Sequence, residues 1–130
     1  MYQRIASVMV LVKDYDEAIH FYTESLNFEL VADEAINAEQ RWVLVRPPGA
    51  KECGIVFIKA QSEQEKATVG NQGAGQVLMI LQTDNFSRDY ERMQKRGVAF
   101  MEQPRSEVYG KVAIFKDLYG NLFDLLEPSV

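Results

Sequence analysis

Apolar residues recur at two different spacings along the chain, and the switches between them predict its elements. Residues 7–12 (SVMVLV) form a continuous apolar, β-branched run, which predicts a buried strand. The spacing then changes to three and four, and Ala18, Ile19, Tyr22 and Leu26 line one face of a helix running to about Leu26. Asp14 stands at its N-cap position with Glu17 three residues on, a capping-box arrangement with Asp in the Ser/Thr role. Asn27 is placed to end the helix, because Asn tolerates the left-handed conformation after a helix terminus. Strands follow from Phe28, over 41–45 (RWVLV) and over 53–59 (CGIVFIK), with a Pro47-Pro48-Gly49 turn between the last two. Residues 61–76 are polar and Gly-rich toward their end, and read as a short helix followed by a loop. The order then returns. A strand over 77–81 precedes a helix capped by Asp84, which runs through Tyr90 and Met93 to about Arg96. Gly97 stops it, Val98 to Phe100 opens a strand, and 111–115 pairs with 121–126 as a hairpin across 117–120.

The second half lies on the first at a constant offset of 70 positions. Asp14 falls on Asp84, Asn27 on Gly97, Phe28 on Val98, Leu30 on Phe100 and Val45 on Phe115. A βαβββ unit occurring twice is the simplest description of this order. The expected fold is α+β: tandem units at about 1–60 and 77–130, joined by a linker at 61–76, in a single domain. The two pseudo-repeats are expected to form a curved mixed sheet with helices on the convex face. One unit alone leaves a sheet face uncovered, so two are expected to pair within the chain, across a homodimer, or both.

Composition narrows the function classes. At 130 residues the chain is the length of one domain, and 47% hydrophobic with 25% charged residues is ordinary for a globular protein. A net charge of −5 argues against a nucleic-acid partner, which calls for a basic face. The lone Cys53 leaves no internal disulfide. No apolar run reaches the ~20 residues of a membrane helix. Lys13 and Asp14 cut the first apolar run too short for a signal peptide, so a cytoplasmic protein without membrane attachment is expected.

Two stretches carry a family resemblance: VMVLVKDYDEAIHFYTESLNFEL at 8–30 and FKDLYGNLFDLLEP at 115–128. With the repeat, they resemble the vicinal oxygen chelate superfamily, which includes glyoxalases, bleomycin-resistance proteins and extradiol dioxygenases. Asn27 stands for the usual Gly of its opening motif and Leu118 for the usual Pro of its closing one. The resemblance implies isomerase, dioxygenase, thiol-transferase or non-catalytic antibiotic-binding activity, and a homodimer. It also implies four metal-ligand positions, one opening the first strand and one on the last strand of each unit. These fall here on Ser7, Val77, Gly54 and Asp124. Valine and glycine carry no side-chain donor, and a neutral serine hydroxyl is a poor ligand for a transition metal. No metal and no other cofactor is therefore expected.

The remaining polar candidates offer little chemistry. His20 is expected on the outer face of the first helix, paired with Asp16 four residues earlier. Cys53 is expected to be a buried free thiol with no adjacent base. Strand alternation places Ser7, Met9 and Leu11 on the concave face, with Val56 and Ile58 after Gly54. Val77, Met79 and Leu81 share that face, as do Leu122 and Leu126 on either side of Asp124. The ligand-pocket candidates are thus Ser7, Met9, Leu11, Val56, Val77, Met79, Leu122 and Asp124. Such an apolar face with one carboxylate reads either as a small-molecule pocket or as plain core. Asp124 would anchor a cationic or hydroxylated ligand, serve as an acid or base, or pair with Ser7. Trp42 and Tyr109 are candidate aromatic walls whose facing alternation leaves open. Three functions remain: a metal-free protein that binds and sequesters a small organic molecule, a metal-dependent lyase, isomerase or dioxygenase, and a dimeric interaction module without a ligand.

Overall fold

Each half of the sequence builds its own sheet. The structure, a computed structural model, describes residues 1–130, and its chain contacts divide into two units, Met1–Val69 and Gly70–Val130. The first unit runs β1 (Ser7–Val12), α1 (Tyr15–His20), β2 (Glu29–Ala35), β3 (Arg41–Arg46), β4 (Gly54–Lys59) and α2 (Glu63–Thr68). Its strand order is β1-β4-β3-β2, with β1 parallel to β4 and the other pairs antiparallel.

Asp14 caps α1, its Oδ2 accepting from the Glu17 N–H at 2.9 Å. The helix continues as a π turn over Phe21–Ser25, where the Leu26 N–H reaches the Phe21 carbonyl five residues back. Asn27 then takes φ 65° and ends it. Tyr22 packs its ring on Phe28 and Phe57 with centroids 5.6 and 5.1 Å away. Val10, Val12, Val43, Val45 and Phe57 are buried around it, which identifies the helix side of this sheet. On the same side Arg41 bonds Asp33 at 2.7 Å and Asp16 at 2.9 Å and lies over the Tyr15 ring. The linker begins as expected with a helix: Ser62 and Glu65 form a reciprocal capping box at the start of α2.

The second unit runs β5 (Val77–Gln82), α3 (Phe86–Lys95), β6 (Ala99–Phe100), β7 (Arg105–Glu107), β8 (Gly110–Lys116) and β9 (Leu122–Pro128). Its order β5-β9-β8-β6 repeats that of the first, and β7 also pairs with β8. Here β5 is parallel to β9, and the strand equivalent to β2 is broken into two short pieces. Asn85, not Asp84, caps α3 by accepting from the Arg88 N–H at 3.0 Å. Glu127 on β9 holds the Phe86 N–H at 2.6 Å and so fixes the helix start one residue later than expected. Asp84 instead pairs with Arg88 across one turn at 2.9 Å. A chain of rings, Phe86, Tyr90, Phe100, Phe115 and Phe123, packs α3 onto the sheet. The β8–β9 turn is built on buried Asp117, whose Oδ1 accepts from the N–H groups of Tyr119, Gly120 and Asn121 at 2.9 to 3.0 Å. Its Oδ2 accepts from the Asn121 side chain at 2.9 Å.

The architecture is therefore α+β, two βαβββ repeats with two mixed sheets, one per unit. No helix is long and apolar enough to cross a membrane.

Candidate functional site

In each unit the helices cover one sheet face, and the opposite face carries the candidate residues. In the first unit the parallel register pairs Ser7 with Gly54, Met9 with Val56 and Leu11 with Ile58. These residues have the opposite parity to Val10 and Phe57, so all six lie on the open face. The antiparallel register pairs Leu44 with Val56, which puts Leu44 on that face together with Trp42 and Arg46. Trp42, whose facing the sequence left open, is thus on the open face and 39% exposed, beside Met9 at 54% and Ile58 at 36%. Val56 is fully buried beneath them.

Gly54 is the position where the family resemblance calls for a carboxylate. A Cβ built there would lie 2.6 Å from Leu44 Cδ1, 3.0 Å from the Val45 carbonyl oxygen and 3.1 Å from Arg46 Cγ. Neighbouring side chains from β3 thus close over the glycine. The Arg46 Nε is buried and has no hydrogen-bond acceptor.

In the second unit Asp124 pairs with Ile80 on β5 and Ile114 on β8. Val77 pairs with Leu122, as expected for two residues on one face. A β-bulge between Val77 and Met79 then shifts the register, so that Met79 pairs with Phe123. Phe123 stacks on Phe115 on the helix side, so Met79 and Leu81 turn away from Asp124, and Ile80, 62% exposed, takes the place expected for Met79. Asp124 is half-buried. Desolvation pushes its carboxyl above the usual aspartate range, the Arg105 charge opposes that shift, and Glu102 adds to it. Arg105 is in turn held by Glu102 at 3.0 Å and Glu107 at 3.0 Å, and Glu102 also accepts from the Ile114 N–H at 3.0 Å. Tyr109 stands half-exposed in the turn between β7 and β8.

The other two candidates differ from expectation in their surroundings. Asp16 bonds Arg41 rather than His20, because β3 brings a guanidinium to it at 2.9 Å. His20 remains exposed on the helix surface. Cys53 precedes β4 instead of opening it, and is exposed rather than buried.

These residues do not fit a divalent metal at the four positions. Ser7, Gly54 and Val77 supply no carboxylate, imidazole or thiolate, and Gly54 is packed over by Leu44 and Arg46. Elsewhere, no three His, Cys, Asp or Glu side chains converge on one point. The open face of the first sheet carries Met9, Trp42, Ile58 and Arg46, with Glu29 and Glu34 of β2 in register opposite Arg46 and Trp42; the open face of the second carries Asp124 and Lys116.

The repeated βαβββ order defines a glyoxalase-type fold, and comparison with known proteins agrees. A sequence model of the Glyoxalase/Bleomycin resistance protein/Dioxygenase superfamily matches residues 4–125, and the chain belongs to that superfamily, the vicinal oxygen chelate group. An uncharacterized protein of Shewanella frigidimarina is 46% identical over 98% of this chain and 95% of its own length. The crystal structure of UcmS2 is 32% identical, with a TM-score of 0.86 over 98% of this chain and 99% of the other. That of TnmS3, an antibiotic binding protein from Streptomyces sp. CB03234, is 31% identical, with a TM-score of 0.80 over 98% of each chain.

Sequence reasoning passed over Arg46, Glu102 and Arg105. A signal for Arg46 was present: it lies 70 positions before Lys116, so both units end the strand opposite the family carboxylate position with a cation. Glu102 and Arg105 lie where the second unit's edge strand is broken, and nothing in the hydrophobic pattern marks that segment.

Proposed function

We propose that this chain is a metal-free protein that binds and sequesters a small, partly aromatic organic molecule on the open sheet faces. It would act as a single glyoxalase-like domain, in a cytoplasmic homodimer. One observation carries the reading: Met9, Trp42 and Ile58 stand exposed together on the sheet face opposite the helices. Large apolar side chains gathered on one exposed face mark an interaction or ligand surface, and methionine and tryptophan adapt to flat organic ligands. The likeness to an antibiotic binding protein over nearly the whole chain supports this, as does a donor set that does not suit a transition metal.

The test is metal content after purification without chelator or metal affinity, followed by melts with aromatic compounds and with Ni²⁺, Zn²⁺, Mn²⁺ and Fe²⁺. A ligand at 100 times its dissociation constant adds about 2.7 kcal/mol to the folded state. The expected result is substoichiometric metal and a shift with aromatic compounds only. Near-stoichiometric metal with a metal-induced shift would instead support a lyase, isomerase or dioxygenase. A dimer that answers to no small molecule would support an interaction module.

A further inference from the structure

We infer that Arg46 is the specificity group of the first unit's open face, and that this face takes a flat aromatic ligand bearing an oxyanion, a carboxylate or a phenolate. The inference rests on the binding function proposed above and adds the ligand's chemical class. Three other arginines are paired with carboxylates of the chain. Arg41 is held by Asp16 and Asp33, Arg88 by Asp84 and Asp89, and Arg105 by Glu102 and Glu107. Arg46 differs: Glu29 of β2 stands opposite it in register, but no carboxylate of the chain pairs with its guanidinium, and its Nε is buried without an acceptor. A guanidinium that no carboxylate of the chain engages is free to bond a charged acceptor brought by a ligand. The planar fork of arginine matches a carboxylate in two parallel hydrogen bonds, which a lysine would not reproduce.

The lining supplies the rest of the ligand's shape. Trp42, Leu44 and Arg46 follow one another along the same face of β3, so Trp42 and Arg46 are about 13 Å apart along the strand. That is the span of a two- or three-ring system plus the reach of the guanidinium. Continuing the Leu44–Val56 register sets Trp42 opposite Ile58 and Arg46 opposite Gly54. The absent side chain of Gly54 is what lets the arginine stem lie flat on the sheet, its Cγ 3.1 Å from where a Cβ would be.

The experiment compares 2-naphthoate with its neutral amide, 2-naphthamide, by quenching of Trp42, the only tryptophan of the chain. The wild-type protein is expected to bind naphthoate about ten- to a hundredfold more tightly than the amide, the range of a charged hydrogen-bonded pair. Arg46→Gln is expected to abolish that preference, bringing naphthoate down to the affinity of the amide, and Arg46→Lys to restore it only in part. Equal affinity of the wild type for acid and amide would overturn the inference while leaving the binding function standing, and it needs no variant to fold. Failure of both probes to quench Trp42 would overturn both. A folded Arg46→Gln protein that keeps the preference would remove Arg46 from the site.

Discussion

Asp124 and Gly54 occupy equivalent positions of the two repeats, and their surroundings have made them opposites. Gly54 is covered by side chains from β3, whereas Asp124 keeps its carboxylate on an open face between Ile80 and Ile114. Desolvation raises the Asp124 carboxyl above its unfolded value, so the folded protein holds this proton more tightly than the unfolded chain does. Stability from this group is therefore greatest below the ordinary aspartate range, and is lost as pH rises through the folded value. Asp124→Asn, which mimics the protonated acid, is therefore expected to raise the melting temperature at pH 7. The gain should shrink as pH falls toward the ordinary aspartate value of about 3.9. A melting temperature lowered by the substitution at pH 7 would mean that Arg105 stabilises the charge more than burial penalises it.

Among elements, the β8–β9 hairpin carries the greatest polar investment. Asp117 is 3% exposed and accepts four hydrogen bonds from the turn that returns the chain to β9, the strand bearing Asp124. Asp117→Ala leaves three buried or half-buried N–H groups and the Asn121 amide without that acceptor. At roughly 1–3 kcal/mol for each unsatisfied buried group, the loss is expected to be at least about 3 kcal/mol in denaturant unfolding. A loss below 1 kcal/mol would show that solvent replaces the carboxylate and that the turn does not set the hairpin. Both this turn and the first helix were legible in the sequence, because their geometry is local: Asp14 caps where it stands, and Asn27 adopts the positive φ its position demands. The elements that escaped were set by distant partners. The start of α3 moved because Glu127 on β9 holds the Phe86 N–H. Met79 changed faces because a bulge against β9 displaces the alternation that a run of apolar residues suggests. The facing of the candidate residues was legible to the same degree. Parity alone placed Ser7, Met9, Leu11 and Val56 on one face, whereas Arg46 and the Glu102–Arg105 pair depend on which neighbours a strand acquires.

At the scale of the whole molecule, the duplicated unit builds two sheets, each with a core of its own. Each repeat has its own aromatic and aliphatic core on the helix side, with Tyr22 and Phe57 in one and Phe115 and Phe123 in the other. The open faces carry apolar side chains together with charged ones, Arg46, Glu29 and Glu34 on the first sheet and Asp124, Arg105 and Lys116 on the second. The central claim is that such a face binds an organic molecule without a metal. Titration of Trp42 fluorescence with a flat aromatic acid, on protein treated with chelator and dialysed, tests it most directly. The account predicts saturable quenching, near one ligand per chain, unchanged by the chelator. Quenching that appears only when a divalent metal is restored would contradict it.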